Sequence, residues 1–155
     1  MPTEHLTDAD LAAEPAPYWT GRAHEAVLSF TRAWLGELGF TQPQYWLLRN
    51  LSKHDLSPDG TGMTVPELQQ AMSSYLRPED DLATDSKALV ERGLLTRDDA
   101  GRLWITEAGE TSRAGVKARV PDFRTRLHEG IDDADYVTTL KVLRQMLRNA
   151  GRQVD

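Results

Sequence analysis

The sequence predicts a mainly α-helical fold carrying one small β-hairpin, and three observations predict it. The first is residues 78–105, PEDDLATDSKALVERGLLTRDDAGRLWI, which read as a helix, a glycine stop and a tight two-stranded ribbon. Pro78 suits a helix start, where its missing N–H would have no partner anyway. Glu79, Asp80 and Asp81 then fill the first turn, where the helix dipole favours negative charge. Leu82, Ser86, Leu89 and Val90 recur at helical spacing. Arg92 closes the last turn, and Gly93 before apolar Leu94 is a left-handed cap. Short apolar runs at 94–97 and 102–105 flank Asp98, Asp99, Ala100 and Gly101, which is a hairpin signature. The second observation is a pair of capping boxes upstream, Thr41 with Gln44 and Thr64 with Glu67. The third is a long amphipathic stretch towards each end of the chain.

Bulk properties narrow the class. At 155 residues with 39% apolar content, the chain supports one domain with a real core and an appended helical element. No apolar run approaches bilayer-spanning length, so no membrane partner is expected. The opening MPTEHLTDADLAAEPAP is acidic and has no apolar signal core, so the expected compartment is the cytoplasm. Cysteine is absent, which excludes disulfides and thiolate metal sites. The net charge of −6 argues against a nonspecific nucleic-acid coat protein. Its distribution is uneven: residues 1–75 hold four Lys/Arg against nine Asp/Glu, whereas residues 76–126 hold ten of each. Positive charge is thus relatively concentrated around the hairpin, although a balanced mixture is also what an ordinary solvated surface shows.

Taken in order, residues 1–17 read as a flexible arm with one turn capped by Thr7. From Pro17, the residues Trp19, Ala23, Ala26, Val27, Phe30, Trp34 and Leu38 repeat at threes and fours, and Gly39 ends that helix. The Thr41 box opens a second helix to about His54, with Pro43 in its first turn. Residues 55–62 are loop by every local signal. The Thr64 box starts a short third helix through Leu68 and Met72, and residues 73–77 lead into the fourth. After the hairpin, Thr106 caps a long helix that Pro121 interrupts and Gly130 ends. Asp132 with Asp135 caps the last helix, Ile131 is placed to staple onto Tyr136, and Gly151 stops it. The order matches a winged helix-turn-helix lobe over residues 41–106. Residues 1–17 form the arm, and 18–40 and 107–152 are dimerisation helices whose apolar faces a symmetric partner would bury.

Five phrases carry a family resemblance. FTQPQYWLLRNL (40–51) resembles the second helix of MarR-family transcription regulators, and MTVPEL (63–68) the start of their third. LVERGLL (89–95) is similar to the end of their recognition helix, ITEAG (105–109) to the turn after their wing, and IDDAD (131–135) to the start of their last helix. They follow the family's order, and the resemblance covers about residues 18–150. The resemblance implies a homodimer that presents two recognition helices to the major grooves of an inverted-repeat operator. It also implies release of DNA by a small, often aromatic or anionic, ligand held between lobe and dimer helices. The sequence departs from the family pattern in three ways. The 73–77 connection is long, and the wing tip lacks extra basic residues. The outward face of the fourth helix, counted at 100° per residue, holds Asp80, Asp81, Thr84, Lys87, Ala88 and Glu91.

On this basis the expected DNA contacts are Ser74, Arg77, Thr84, Lys87, Arg97 and Arg102. Each also has a plainer reading. Ser74 and Arg77 are common turn residues, Thr84 and Lys87 fit an ordinary exposed face, and Arg97 and Arg102 fit a solvated hairpin with Arg102 paired to Asp99. Trp19, His24, Trp46 and Arg49 are the expected ligand residues. Trp46 lies one position off the apolar stripe and Arg49 is the anion partner, whereas Trp34 fits core or dimer interface better. The four histidines are scattered without metal-ligand spacing. No phosphate loop, nucleophile elbow or triad is present, so neither cofactor nor enzymatic activity is expected. Two functions remain open: a dimeric, sequence-specific DNA-binding transcription regulator, or a winged-helix dimer that acts through protein contacts on its acidic fourth helix. The surface around the recognition helix separates them.

Overall fold

The computed structural model describes residues 5–154, and the first four residues of the expected arm lie outside the described residues. The chain forms two compact units, one up to Val116 and one from Lys117 onward. In the first, α1 (Asp8–Ala13) and α2 (Ala16–Glu37) precede α3 (Gln42–Leu51), α4 (Val65–Ala71) and α5 (Leu82–Glu91). Strands β1 (Leu95–Arg97) and β2 (Leu103–Ile105) follow, then α6 (Glu107–Ala118), whose last two residues belong to the second unit. The second unit carries α7 (Val120–Leu127) and α8 (Asp133–Asn149). This is the mainly helical, winged helix-turn-helix architecture expected from the sequence.

Local chemistry explains most boundaries. Thr41 and Thr64 both close reciprocal capping boxes, with Gln44 and Glu67 returning the bond. Gly93 takes φ 74°, and the Leu94 N–H reaches the Leu89 carbonyl at 2.9 Å, the six-to-one bond of a glycine-capped helix end. Thr106 receives the Gly109 N–H at 3.0 Å and so caps α6. Pro121 sits in the first turn of α7, where it separates that helix from α6.

The core of the first unit is a set of leucines on the facing stripes of these elements. Leu47, Leu48 and Leu51 of α3, Leu68 of α4, Leu89 of α5 and Leu95 and Leu103 of the hairpin are fully buried. Leu35 and Trp34 anchor the C-terminal end of α2, whereas residues 17–27 of that helix are exposed.

Five expectations are corrected. Within the stretch read as an arm, Asp8–Ala13 is a formed helix, because Thr7 and Asp10 complete a capping box. Helix α3 stops at Leu51 rather than His54, since the Ser52 hydroxyl accepts the His54 N–H and turns the chain. Helix α5 begins at Leu82 with Asp81 as its cap, not at Pro78. The Asp80 carboxylate is occupied by Arg32 and the Arg77 N–H, which holds residues 77–80 in a turn of their own. Asp132 precedes α8 without a side-chain capping bond. Ile131 is exposed, and the Tyr136 ring lies instead against His128 at 4.4 Å.

Candidate nucleic-acid interface

The entrance to α5 is built by carboxylates with separate tasks. Asp80 forms a two-pronged pair with Arg32 of α2, at 2.7 and 2.9 Å. Those bonds, opposed by desolvation, hold its carboxyl below the usual range and raise Arg32. Asp81 accepts the N–H groups of Ala83 and Thr84 and the Thr84 hydroxyl at 2.8 Å, which also keeps it low. Of the three acids counted on the outward face, Asp80 is therefore neutralised by Arg32, and Asp81 is spent on the cap. Neither is a residue of the helix. The exposed face of α5 itself presents Ala83, Thr84, Lys87 and Glu91. Asp85, half-buried, is pushed up chiefly by desolvation, against the Thr41 hydroxyl that donates to it at 2.9 Å.

The six expected DNA-contact residues divide into two groups. Ser74, Lys87 and Arg97 are exposed, and their side chains make no hydrogen bond or ion pair among the described residues. The other three are engaged. Thr84 bonds to Asp81, and Arg77 meets Glu25 of α2 at 3.2 Å. Arg102 pairs with Glu67 of α4 at 3.0 Å, not with Asp99.

The wing is organised by Asp98. Its carboxylate accepts the N–H groups of Ala100 and Arg102 and the Trp104 indole N–H at 2.9 Å. These bonds, the Trp104 one foremost, hold its carboxyl low. Leu95 pairs with Ile105, Thr96 with Trp104 and Arg97 with Leu103, and Gly101 takes φ 77° in the turn. Met63 exchanges two backbone bonds with Leu103, at 2.8 and 3.1 Å, so the segment before α4 adds a third, minimal strand to the ribbon.

The expected ligand residues are only partly gathered. Trp46 stacks on Tyr75 with ring centroids 4.1 Å apart, and the Arg49 guanidinium lies 4.3 Å from the Trp46 ring. Arg49 is already paired with Asp55 at 3.1 Å. Trp19 bonds to Glu14 and packs against Tyr18 and Arg22, while His24 is simply exposed on α2. No hydrogen bond or ring contact joins either of them to Trp46 or Arg49 among the described residues. An open groove of about 340 Å³ lined by Leu51, His54, Ile105 and Glu107 contains none of the four.

Sequence reasoning missed a polar network beneath this lobe. Asp55 also meets Arg113 of α6 at 3.4 Å, Arg113 meets Glu110 at 2.9 Å, and Glu110 accepts the Ser52 hydroxyl. The partners lie up to 58 residues apart, so no local spacing announces them. Among the described residues, no group of three His, Asp or Glu is placed to hold a metal ion, and no helix is long and apolar enough to cross a membrane.

No family model and no curated protein matches the sequence. Solved structures do match. A MarR-family regulator from a Rhodococcus species is 25% identical over 83% of this chain and 89% of its own, with a TM-score of 0.61. A MarR-family protein of Mycobacterium tuberculosis, solved in complex with DNA, is 20% identical over 86% of this chain and 98% of its own, with a TM-score of 0.65. CouR from Rhodococcus jostii, solved with p-coumaroyl-CoA bound, is 24% identical over 86% of this chain and 92% of its own, with a TM-score of 0.58. With these likenesses beside the capping boxes, the glycine stop and the wing, the chain has the winged helix-turn-helix fold of the MarR-family transcriptional regulators.

Proposed function

We propose that this protein is a homodimeric, sequence-specific DNA-binding regulator of transcription, acting in the cytoplasm rather than as an enzyme. The observation that carries the proposal is the pair of unpaired cations, Lys87 on α5 and Arg97 on the wing. They stand in a fold whose M. tuberculosis neighbour was solved on DNA. In this reading the exposed face of α5 enters a major groove, with Lys87 and Thr84 at base edges or phosphates. Ser74 meets phosphate, Arg97 reaches the adjacent backbone or minor groove, and Arg77 adds positive charge beside its carboxylate partner.

The dimer is supported by apolar surface that each unit leaves open. Tyr18, Trp19 and Val27 on α2 are exposed, as are Val137, Leu140, Met146 and Leu147 on α8. Faces of this kind mark association surfaces. A small aromatic or anionic effector is supported by the Trp46–Tyr75 stack. Tyr75 lies in the connection that leads to α5, so a ligand ring replacing it on Trp46 would move the entrance of the recognition helix.

The test is selection from random duplex DNA at low salt, followed by mobility shifts of the enriched pool across a salt series. Enrichment of an inverted repeat, with half-sites about one helical turn apart and affinity falling steeply with salt, is the expected outcome. A folded dimer that enriches nothing would overturn the proposal.

A further inference from the structure

The wing has a second attachment that DNA contact alone does not require. Five bonds or contacts converge on residues 62–67. The Arg102 guanidinium donates to the Gly62 carbonyl at 2.8 Å and pairs with Glu67 at 3.0 Å. Met63 and Leu103 exchange backbone bonds. The Trp104 indole covers Gly62 so closely that a Cβ there would overlap the ring. Asp98 fixes that ring by accepting its N–H. Gly62 lies outside the left-handed region, so its lack of a side chain serves close approach rather than backbone freedom.

Resting on the regulator reading above, we propose that Arg102, Glu67, Gly62 and Trp104 form a latch that holds the wing against the start of α4. Arg102 is then a positioning residue, and Arg97 is the arginine through which the wing touches DNA. A hairpin of three-residue strands has little stability of its own. Its orientation is therefore set by whatever it is tied to, and here it is tied to the first helix of the helix-turn-helix pair. With the latch closed, Arg97 is carried on β1 at a fixed distance from α5. With it open, the same charge is spread over many orientations, and phosphate contact loses its preorganisation.

Glu67 separates the two roles by sign. As an acid near the DNA face, its removal should tighten binding if only the field matters. As the far half of the latch, its removal should weaken binding. Glu67→Gln keeps the α4 capping box, since glutamine serves at that position as well as glutamate.

The experiment compares the unmodified protein, Glu67→Gln and Arg102→Gln on the selected duplex across a salt series, with amide hydrogen exchange at Met63 and Leu103 in the free proteins. The latch predicts severalfold weaker binding for both variants, an unchanged salt slope, and faster exchange at both amides. A direct phosphate contact by Arg102 predicts instead a slope lower by about one for Arg102→Gln, and Glu67→Gln binding as tightly as the unmodified protein or more so. Either of those results overturns the latch. Failure of the unmodified protein to bind any duplex would overturn the regulator reading beneath it, and is read before the variants are compared.

Discussion

Arg32 and Asp80, 48 residues apart, meet in a two-pronged ion pair that ties α2 to the turn in front of α5. The side chain of Asp80 is 8% exposed and that of Arg32 20%. The pair accordingly acts where water screens it little, and it decides where α5 begins.

Asp80→Asn removes the charge and leaves the guanidinium without its counterion. The expected cost is about 2–3 kcal/mol, at the lower end for a buried pair because Arg32 keeps some water. Urea unfolding should show a lower midpoint at unchanged slope. The pH dependence follows from the depressed carboxyl. Its contribution is present above the ordinary aspartate value of about 4 and is lost as pH falls through the lower, folded value. The substitution should flatten that acid limb, and an acid limb identical in both proteins would contradict the assignment.

Asp85 behaves oppositely. Burial raises its carboxyl, so its charged form costs stability as pH rises from the ordinary aspartate value through the folded one. Asp85→Asn keeps an oxygen for the Thr41 hydroxyl and removes the buried charge. The expected result is a higher unfolding midpoint at pH 7 and no gain at pH 3, measured by thermal melts at both.

These two carboxylates also show what the sequence could and could not convey. Boundaries set within four residues were legible: the Thr41 and Thr64 boxes, the Gly93 stop, the hairpin and the break at Pro121 all follow from side chains close to the backbone they cap. The start of α5 was not. Pro78 and three following acids satisfy every local rule for a helix N-terminus, and only Arg32, far away in sequence, makes Asp80 unavailable. Arg102 is a similar case. Its neighbour Asp99 is the obvious local partner, yet Glu67, 35 residues upstream, takes it. The candidate ligand residues were the least legible, because an aromatic at helical spacing does not reveal whether its face is open. Trp46 is covered by Tyr75 and Arg49, and Trp19 has its own cluster.

The Asp55 network predicts a different kind of loss. Arg113 and Asp55 are 7% and 6% exposed, and Asp55 also holds Arg49. Asp55→Ala strands Arg113 with Glu110 alone and should cost about 3–5 kcal/mol. Replacing Asp55 and Arg113 together with apolar residues should cost much less than the sum, because the uncompensated charge is what destabilises. A double-mutant cycle in urea measures this, and additive losses would show that the two residues do not act as a pair.

Lys87 and Arg97 separate the two components of DNA recognition. Arg97 sits on a hairpin edge and can supply charge, but it reads few bases. Arg97→Ala should therefore weaken binding to all duplexes alike and lower the salt slope by about one. Lys87 projects from the exposed face of α5, the face that enters the groove in the proposed complex. Lys87→Ala should weaken binding to the selected operator more than to unrelated duplex, which narrows the ratio between them. Glu91 is an acid of that face left with no partner among the described residues, so Glu91→Gln should tighten both kinds of binding at low salt and converge with the unmodified protein as salt screens the charge. Mobility shifts of the three variants on both duplexes resolve these patterns. Equal losses on both duplexes for Lys87→Ala would move Lys87 from base reading to phosphate contact. An Arg97→Ala protein with unaltered affinity and slope would take the wing off the DNA altogether.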